Sequence, residues 1–435
     1  MIDKIRRQFN AAFTPEKYQA FLSDIASDFG FSPTFRIAET PFFIPRALER
    51  QILAGCQQVI DFIKKPDFKA LTQRAIELNT AVPNEDAHTQ FLAIDFGICE
   101  EDGYIVPKLI EVQGFPTIFN FQLNLYPKIL TQYPFLGDLS PYPNGVDGET
   151  YLALLKKVIL GKHPPEEVVL LEIEPEKQNT RIDFHYARRD LGIPLVCVTD
   201  VIKEGKMLFY KSTAGKKVRI RRIYNRVIFD ELNLRDDLKL AFSFEEELDV
   251  EWAGHPNWYT RISKFILPYL HGPYFIDTTL LSELEAIPED LENYVLKPLF
   301  SFSGAGVIFN VTKEDIENVR DKDLFILQKK VHYAPVIQSP DGNVKVEVRI
   351  FCLWPEDEEN PTIVGNLARL SRGEMIGVKF NRDKDWVGGS IGLFEKKQRE
   401  YIATKRRLIE SGGTRGDLSA LCLKTVARKG VGEHA

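Results

Sequence analysis

The stretch Tyr294-Val-Leu-Lys-Pro-Leu-Phe-Ser-Phe-Ser-Gly-Ala-Gly-Val-Ile-Phe309 limits what this chain can become more than any other. An apolar run carries a single lysine, Lys297. A loop of small residues follows at 301–306, and a second apolar run occupies 307–309. The pattern predicts a strand, a pliable loop and a returning strand that close over a polyanion. Glycines let backbone N–H groups approach phosphate oxygens with no Cβ in the way, and the lysine supplies charge. A plain hairpin with a glycine turn and a snorkelling lysine fits the same residues.

The chain is long enough, at 435 residues, for two or three domains with a large core. No apolar run approaches a membrane span, and the first residues lack the apolar centre of a signal peptide. Five dispersed cysteines without a CxxC pair fit reduced thiols in a cytoplasmic setting and argue against zinc. The seven histidines include no HExxH. Net charge is −6 but uneven, because residues 396–435 hold ten Lys/Arg against four Asp/Glu. The acidic remainder argues against a nucleic-acid partner. The tail reads as a basic, loosely attached extension or a contact arm.

Periodicity predicts helices at 1–30 and 44–65, then strands at 91–98 and 105–113 around a turn at 100–103, then a helix at 121–133 that Pro127 should shorten or kink. From 168 to 198 a strand, a helix stopped at Gly192 and a second strand give a β-α-β rhythm, which implies a small parallel sheet. Further strands are expected at 207–210, 218–227, 324–331, 344–353 and 362–370, with helices at 258–271 and 312–320.

Three other sites invite chemistry. On the 91–113 hairpin, Glu111 and Gln113 share one face by strand alternation, and Asp95 is positioned to join them from the neighbouring strand. Two carboxylates and an amide oxygen are hard ligands suited to Mg²⁺, although a solvated face of an amphipathic strand reads the same way. Arg219, Arg221, Arg222 and Arg226 offer guanidinium forks for carboxylate or phosphate, or an exposed basic or RNA-binding face. Glu347 and Arg349 share a strand face near Arg369, as anion ligands or as a cross-strand salt-bridge ladder. The strand at 324–331 runs into a bend whose backbone edge can read adenine.

Together these pieces, in this order, resemble the circularly permuted ATP-grasp family of the glutathionylspermidine synthase type, over most of residues 35–395. Phe42-Phe-Ile-Pro-Arg-Ala47 looks like its leading segment, and Asp95 with Leu109-Ile-Glu-Val-Gln-Gly114 is similar to its metal hairpin. His185 to Leu195 and Ile223-Tyr-Asn-Arg226 resemble its inserted domain. Tyr294 to Val307 resembles its phosphate lysine and lid, and Arg349, Arg369 and Gly388-Gly-Ser390 resemble its closing segment. The carboxylate hairpin precedes the lysine strand, the reverse of the non-permuted order.

The resemblance implies an α/β fold: an ATP-grasp core, circularly permuted, with an inserted small parallel α/β domain. Its parts would be 1–160 (helices and metal hairpin), 161–255 (the insertion), 256–395 (lysine, lid and nucleotide part) and the tail 396–435. It implies ATP and Mg²⁺, with the metal on Asp95, Glu111 and Gln113. Nucleotide contacts would come from Lys297, Ser303, Gly304, Gly306, Gln328, Lys329, Val331 and Arg261, and Lys297, Arg349 and Arg226 would serve catalysis. The activity implied is ATP-dependent joining of a carboxylate to an amine or thiol through an acyl phosphate, on small-molecule or peptide substrates. A nucleotide- or peptide-binding protein on the same scaffold is the alternative. The family usually has asparagine where this chain has Gln113, and an earlier phosphate lysine is expected near 258–264, where Arg261 and Lys264 stand.

Overall fold

The computed structural model describes residues 1–301, 304–373, 376, 381 and 383–396. Ser303 and the tail beyond 396 lie outside the described residues. The chain builds a mixed α/β structure from several sheets. The largest is six-stranded and antiparallel. Its order is Gly388–Ser390, Thr362–Ser371, Gly342–Leu353, Phe91–Glu101 and Tyr104–Gln113, with Ile337–Ser339 paired to the Gly342–Leu353 strand off that path. The 91–113 hairpin turns on Asp102-Gly103 alone. Both residues have positive φ, the backbone a tight two-residue hairpin needs. The far face of this sheet carries Ile94, Phe96, Val112, Val348 and Ile350. They share one hydrophobic cluster with Leu48, Ile52, Cys56 and Val59 of the helix Arg46–Ile63.

A four-stranded parallel sheet has the order Glu251–Ala253, Arg222–Asn225, Val168–Glu172, Leu195–Cys197. It has its own cluster of apolar side chains, including Val169, Leu171, Val196, Ile223 and Trp252. The β-α-β rhythm is realised with the helix Arg181–Leu191, which ends on Gly192 in the left-handed conformation. The expected single strand at 218–227 is instead two. Lys217–Ile220 pairs in an antiparallel sheet with Met207–Lys211, and Arg222–Asn225 joins the parallel sheet. All four residues of the latter are buried, as a strand covered on both faces requires.

The small lysine sheet is antiparallel, with Phe325–Lys329 between Thr278–Leu280 and Tyr294–Pro298. The expected returning strand at 307–309 reduces to one bridge, Ile308 to Leu296. The expected helix at 258–271 is also broken. A helix Pro256–Arg261 gives way to a 3-10 turn Lys264–Tyr269, where Ser263 caps a fresh start by accepting from the Phe265 N–H, and Pro268 has no N–H to continue an α-helix. The helix at 121–133 forms as Phe119–Gln132 with Pro127 inside it. Among the described residues no helix is long and apolar enough to cross a membrane.

Candidate functional site

The near face of the six-stranded sheet is polar across four strands. Directly opposed residues of an antiparallel pair share a face, as do residues two apart on one strand. The registers Asp95 to Glu111, Asp95 to Arg349 and Glu347 to Arg369 therefore line up Gln113, Glu111, Asp95, Arg349, Glu347 and Arg369 on one side. A β-bulge makes this possible. Asp95 pairs with Glu111 but the next residue, Phe96, pairs with Leu109, so Ile110 is the extra residue. Without it Leu109 and Glu111 would point the same way. With it Leu109 turns to the core and Glu111 to the polar face.

Asp95 is fully buried and its carboxylate is engaged at both oxygens. Arg349 donates from Nε to Oδ1 at 2.6 Å and from a terminal nitrogen to Oδ2 at 2.7 Å, and Arg369 donates to Oδ2 as well. Burial pushes the Asp95 carboxyl up, but the two guanidinium groups outweigh it and hold the group below its ordinary range. Arg369 also pairs with Glu347 at 2.8 Å, and Glu347 accepts from the Tyr333 hydroxyl. Burial keeps the Glu347 carboxyl raised despite Arg369. Tyr333 reaches it by lying over Gly97, where a Cβ would come within 2.8 Å of its ring.

Lys297 projects from the small sheet and donates to the Gln328 side-chain oxygen at 2.6 Å, while Gln328 donates onward to Thr278. Burial lowers the Lys297 pKa to about 8; Glu111 and Glu347 pull it up and Lys264 pushes it down. Lys297 thus feels the charges of both strands flanking Asp95. Lys264, turned inward by the break after Arg261, lies 3.4 Å from Glu111 and donates to the Ser301 carbonyl at 2.7 Å. Beyond Ser301 the chain turns at Gly304 and Gly306, both at positive φ. Gly306 sits so close to Pro298 that a Cβ there would fall within 2.9 Å of its ring. Four cations (Lys264, Lys297, Arg349, Arg369) thus face three carboxylates (Asp95, Glu111, Glu347), a balance that favours an anionic guest.

A pocket opens beside this cluster, between Glu111, Gln113 and Lys264 on one side and Phe115, Phe229 and Asp230 on another. Its enclosed part measures about 40 Å³, and the space between its walls with the solvent-open mouth about 540 Å³.

The sequence-derived residues divide into two groups. Asp95, Glu111, Lys297, Gln328 and Arg349 belong to the cluster, with Gln113 beside it in the pocket wall. Lys329 and Val331 lead away from Gln328, and Lys329 pairs with Asp277 at 2.9 Å. Two arginines are committed elsewhere. Arg261 is held by Glu85, Gln73, Thr72 and the Lys69 carbonyl. Arg226 pairs with buried Asp183 at 3.2 Å and donates to the Pro116 carbonyl, its guanidinium lying against the Phe115 ring. Arg219, Arg221 and Arg222 pair with Asp249, Glu167 and Glu251, so the basic strand is not a bare cationic face. Asp95 offers no open oxygen in this arrangement, and among the described residues no group of three His, Cys, Asp or Glu is arranged to hold a metal. Glu111 and the Gln113 amide remain the open oxygen donors. Sequence reading passed over Tyr333 and Asp230. The glycine that admits the Tyr333 ring, inside an otherwise apolar strand, was the available signal for the first.

No family model matches the chain, and no curated protein matches it. Among solved structures it is similar to a glutathione synthetase like-effector (GSS30) from Globodera pallida, in apo form. The TM-score is 0.53 at 13% sequence identity, over 82% of this chain and 94% of that one. At such identity the likeness is one of fold, and the fold of this chain is glutathione synthetase-like.

Proposed function

We propose that the chain is a circularly permuted ATP-grasp ligase that joins a carboxylate to an amine or thiol at the expense of ATP. The observation that carries the reading is the convergence of two lysines on Glu111, Lys264 at 3.4 Å and Lys297 from the small sheet, whose charge Glu111 stabilises. The glutathione synthetase-like fold supports it, as does the order of the parts, with the carboxylate hairpin before the lysine strand.

In this reading Lys297 and Lys264 bind the β- and γ-phosphates, with backbone N–H groups around Gly304 and Gly306 completing the anion site. Gln328 holds the Lys297 ammonium in place, and the chain leaving it toward Val331 meets the adenine. Glu111 and Gln113 would hold Mg²⁺, which takes one or two protein oxygens beside phosphate and water and neutralises phosphate charge. Asp95 anchors Arg349 and Arg369 instead of binding the metal, and Arg369, one-third exposed, faces the developing acyl phosphate. A substrate carboxylate oxygen attacks the γ-phosphorus and ADP leaves. The acceptor nitrogen then attacks the acyl carbon, its bond to the phosphate oxygen breaks, and the nitrogen gives up a proton. Positioning and charge neutralisation supply the acceleration.

The test is calorimetry with Mg²⁺ and ATP, followed by ADP release against panels of carboxylates and amines. Binding that Lys297→Met weakens at least tenfold, with acceptor-dependent ADP release, is the expected result. Binding unaffected by that substitution would sink the reading. The engagement of Asp95 favours a second reading, a nucleotide- or peptide-binding protein without turnover, for which binding persists and no ADP appears.

A further inference from the structure

We propose that the pocket beside Glu111 and Lys264 recognises a substrate bearing a primary alkylammonium group on an apolar body, with Asp230 as its counter-ion. Its role as the site of the amine substrate rests on the ligase reading.

Topology is the first argument. The parallel sheet runs Leu195–Cys197, Val168–Glu172, Arg222–Asn225, Glu251–Ala253, so the first strand has its successor on one side and the later pair on the other. Open α/β sheets bind ligands outside the carboxyl ends of their strands, at such a reversal. The Arg222–Asn225 strand leads directly into Ile228, Phe229 and Asp230, and the Glu251–Ala253 strand into Pro256, Tyr259 and Thr260. All six line the pocket. The pocket therefore joins the place where a parallel sheet receives a ligand to the place where the anion cluster lies.

The wall chemistry selects the ligand. Phe115, Phe229, Tyr259 and Phe300 give aromatic surface suited to an alkyl chain and to a cation. Asp230 belongs to the lining and has no ion pair among the described residues. Lys264, the lysine of the lining, already faces Ser301 and Glu111 and, in the ligase reading, is taken up by phosphate, and Arg226 lies behind Phe115 with its charge met by Asp183. A carboxylate guest would meet Asp230 with no uncommitted cation to offset it, whereas an ammonium gains a partner. Partial burial also raises the Asp230 carboxyl, with Lys264 opposing, so an ammonium would relieve the cost of its charge.

The probes are n-butylammonium, n-butanol and butyrate, titrated into the full chain by ligand-observed NMR, with ATP affinity measured in parallel. Butylammonium is expected to bind at least tenfold more tightly than either of the others. Asp230→Asn should erase that preference without weakening ATP affinity or changing the circular dichroism spectrum, since Asp230 makes no hydrogen bond or ion pair among the described residues and its negative charge near Lys264 does not favour phosphate. Equal binding of the three probes, tightest binding of butyrate, or a preference that survives Asp230→Asn would overturn the assignment. Ammonium preference without any ATP binding would remove the ligase reading and leave the pocket standing. ATP binding without the preference would remove the pocket alone.

Discussion

Replacing Asp95 by alanine takes from two guanidinium groups the carboxylate that holds them. Arg349 bears most of the loss. Its two bonds to Asp95 measure 2.6 and 2.7 Å, and only 6% of its side chain is exposed, so it has little water to turn to. Arg369 keeps Glu347 at 2.8 Å and is one-third exposed. Breaking one side of a buried ion pair costs about 3–5 kcal/mol, most of it the penalty of the charge left behind. Asp95→Ala is therefore expected to lower the free energy of unfolding by about that amount, read from urea denaturation followed by circular dichroism and tryptophan fluorescence at neutral pH. Adding Arg349→Met removes the stranded charge, so the double variant should be more stable than Asp95→Ala alone. Because the pair depresses the Asp95 pKa, the stabilisation is complete above the ordinary aspartate value of 3.8 and fades as pH falls through the lower folded value. The wild-type advantage should accordingly disappear in acid. A loss below about 1 kcal/mol at neutral pH, or simple additivity of the two substitutions, would refute the account of Asp95 as an anchor.

Three more outcomes follow from the same geometry. Burial lowers the Lys297 pKa to about 8, and the lysine binds phosphate when protonated, so ATP affinity should fall about tenfold between pH 7 and pH 9, with proton uptake on binding; a flat calorimetric profile would contradict its role. Glu111→Gln should abolish most of the gain in ATP affinity that Mg²⁺ provides over EDTA while leaving the urea midpoint nearly unchanged, because among the described residues the ion pair Glu111 makes is a long one, 3.4 Å to Lys264. Gly97→Ala puts a Cβ 2.8 Å from the Tyr333 ring and 3.1 Å from Ile110, and should destabilise the fold by about 1–3 kcal/mol in the same urea assay.

What could be read from the sequence was local. Alternation on 105–113 placed Glu111 and Gln113 on one face, and the Lys297 stretch declared a strand with a glycine turn behind it. Two failures had local causes that periodicity does not register: the transfer of the chain between sheets at Arg221, and the Ser263 cap that breaks the helix after Arg261. That same break swings Lys264, one of the two residues offered for the earlier phosphate lysine, to Glu111, a direction the expected helix did not foretell. The fate of Asp95 was not legible, because its partners come from two strands more than 250 positions away and reach it through register. Arg226 looked like a free guanidinium because its counter-ion, Asp183, sits on a separate helix. Asp230 carried no motif, and its interest arises from standing at the carboxyl end of a parallel strand.

The most direct test is a crystal structure of the full chain with Mg²⁺ and a non-hydrolysable ATP analogue. The account expects the terminal phosphates between Lys297 and Lys264, the metal on Glu111, and Asp95 still paired with Arg349. A nucleotide lodged away from both lysines, or density for none at saturating analogue, would contradict it.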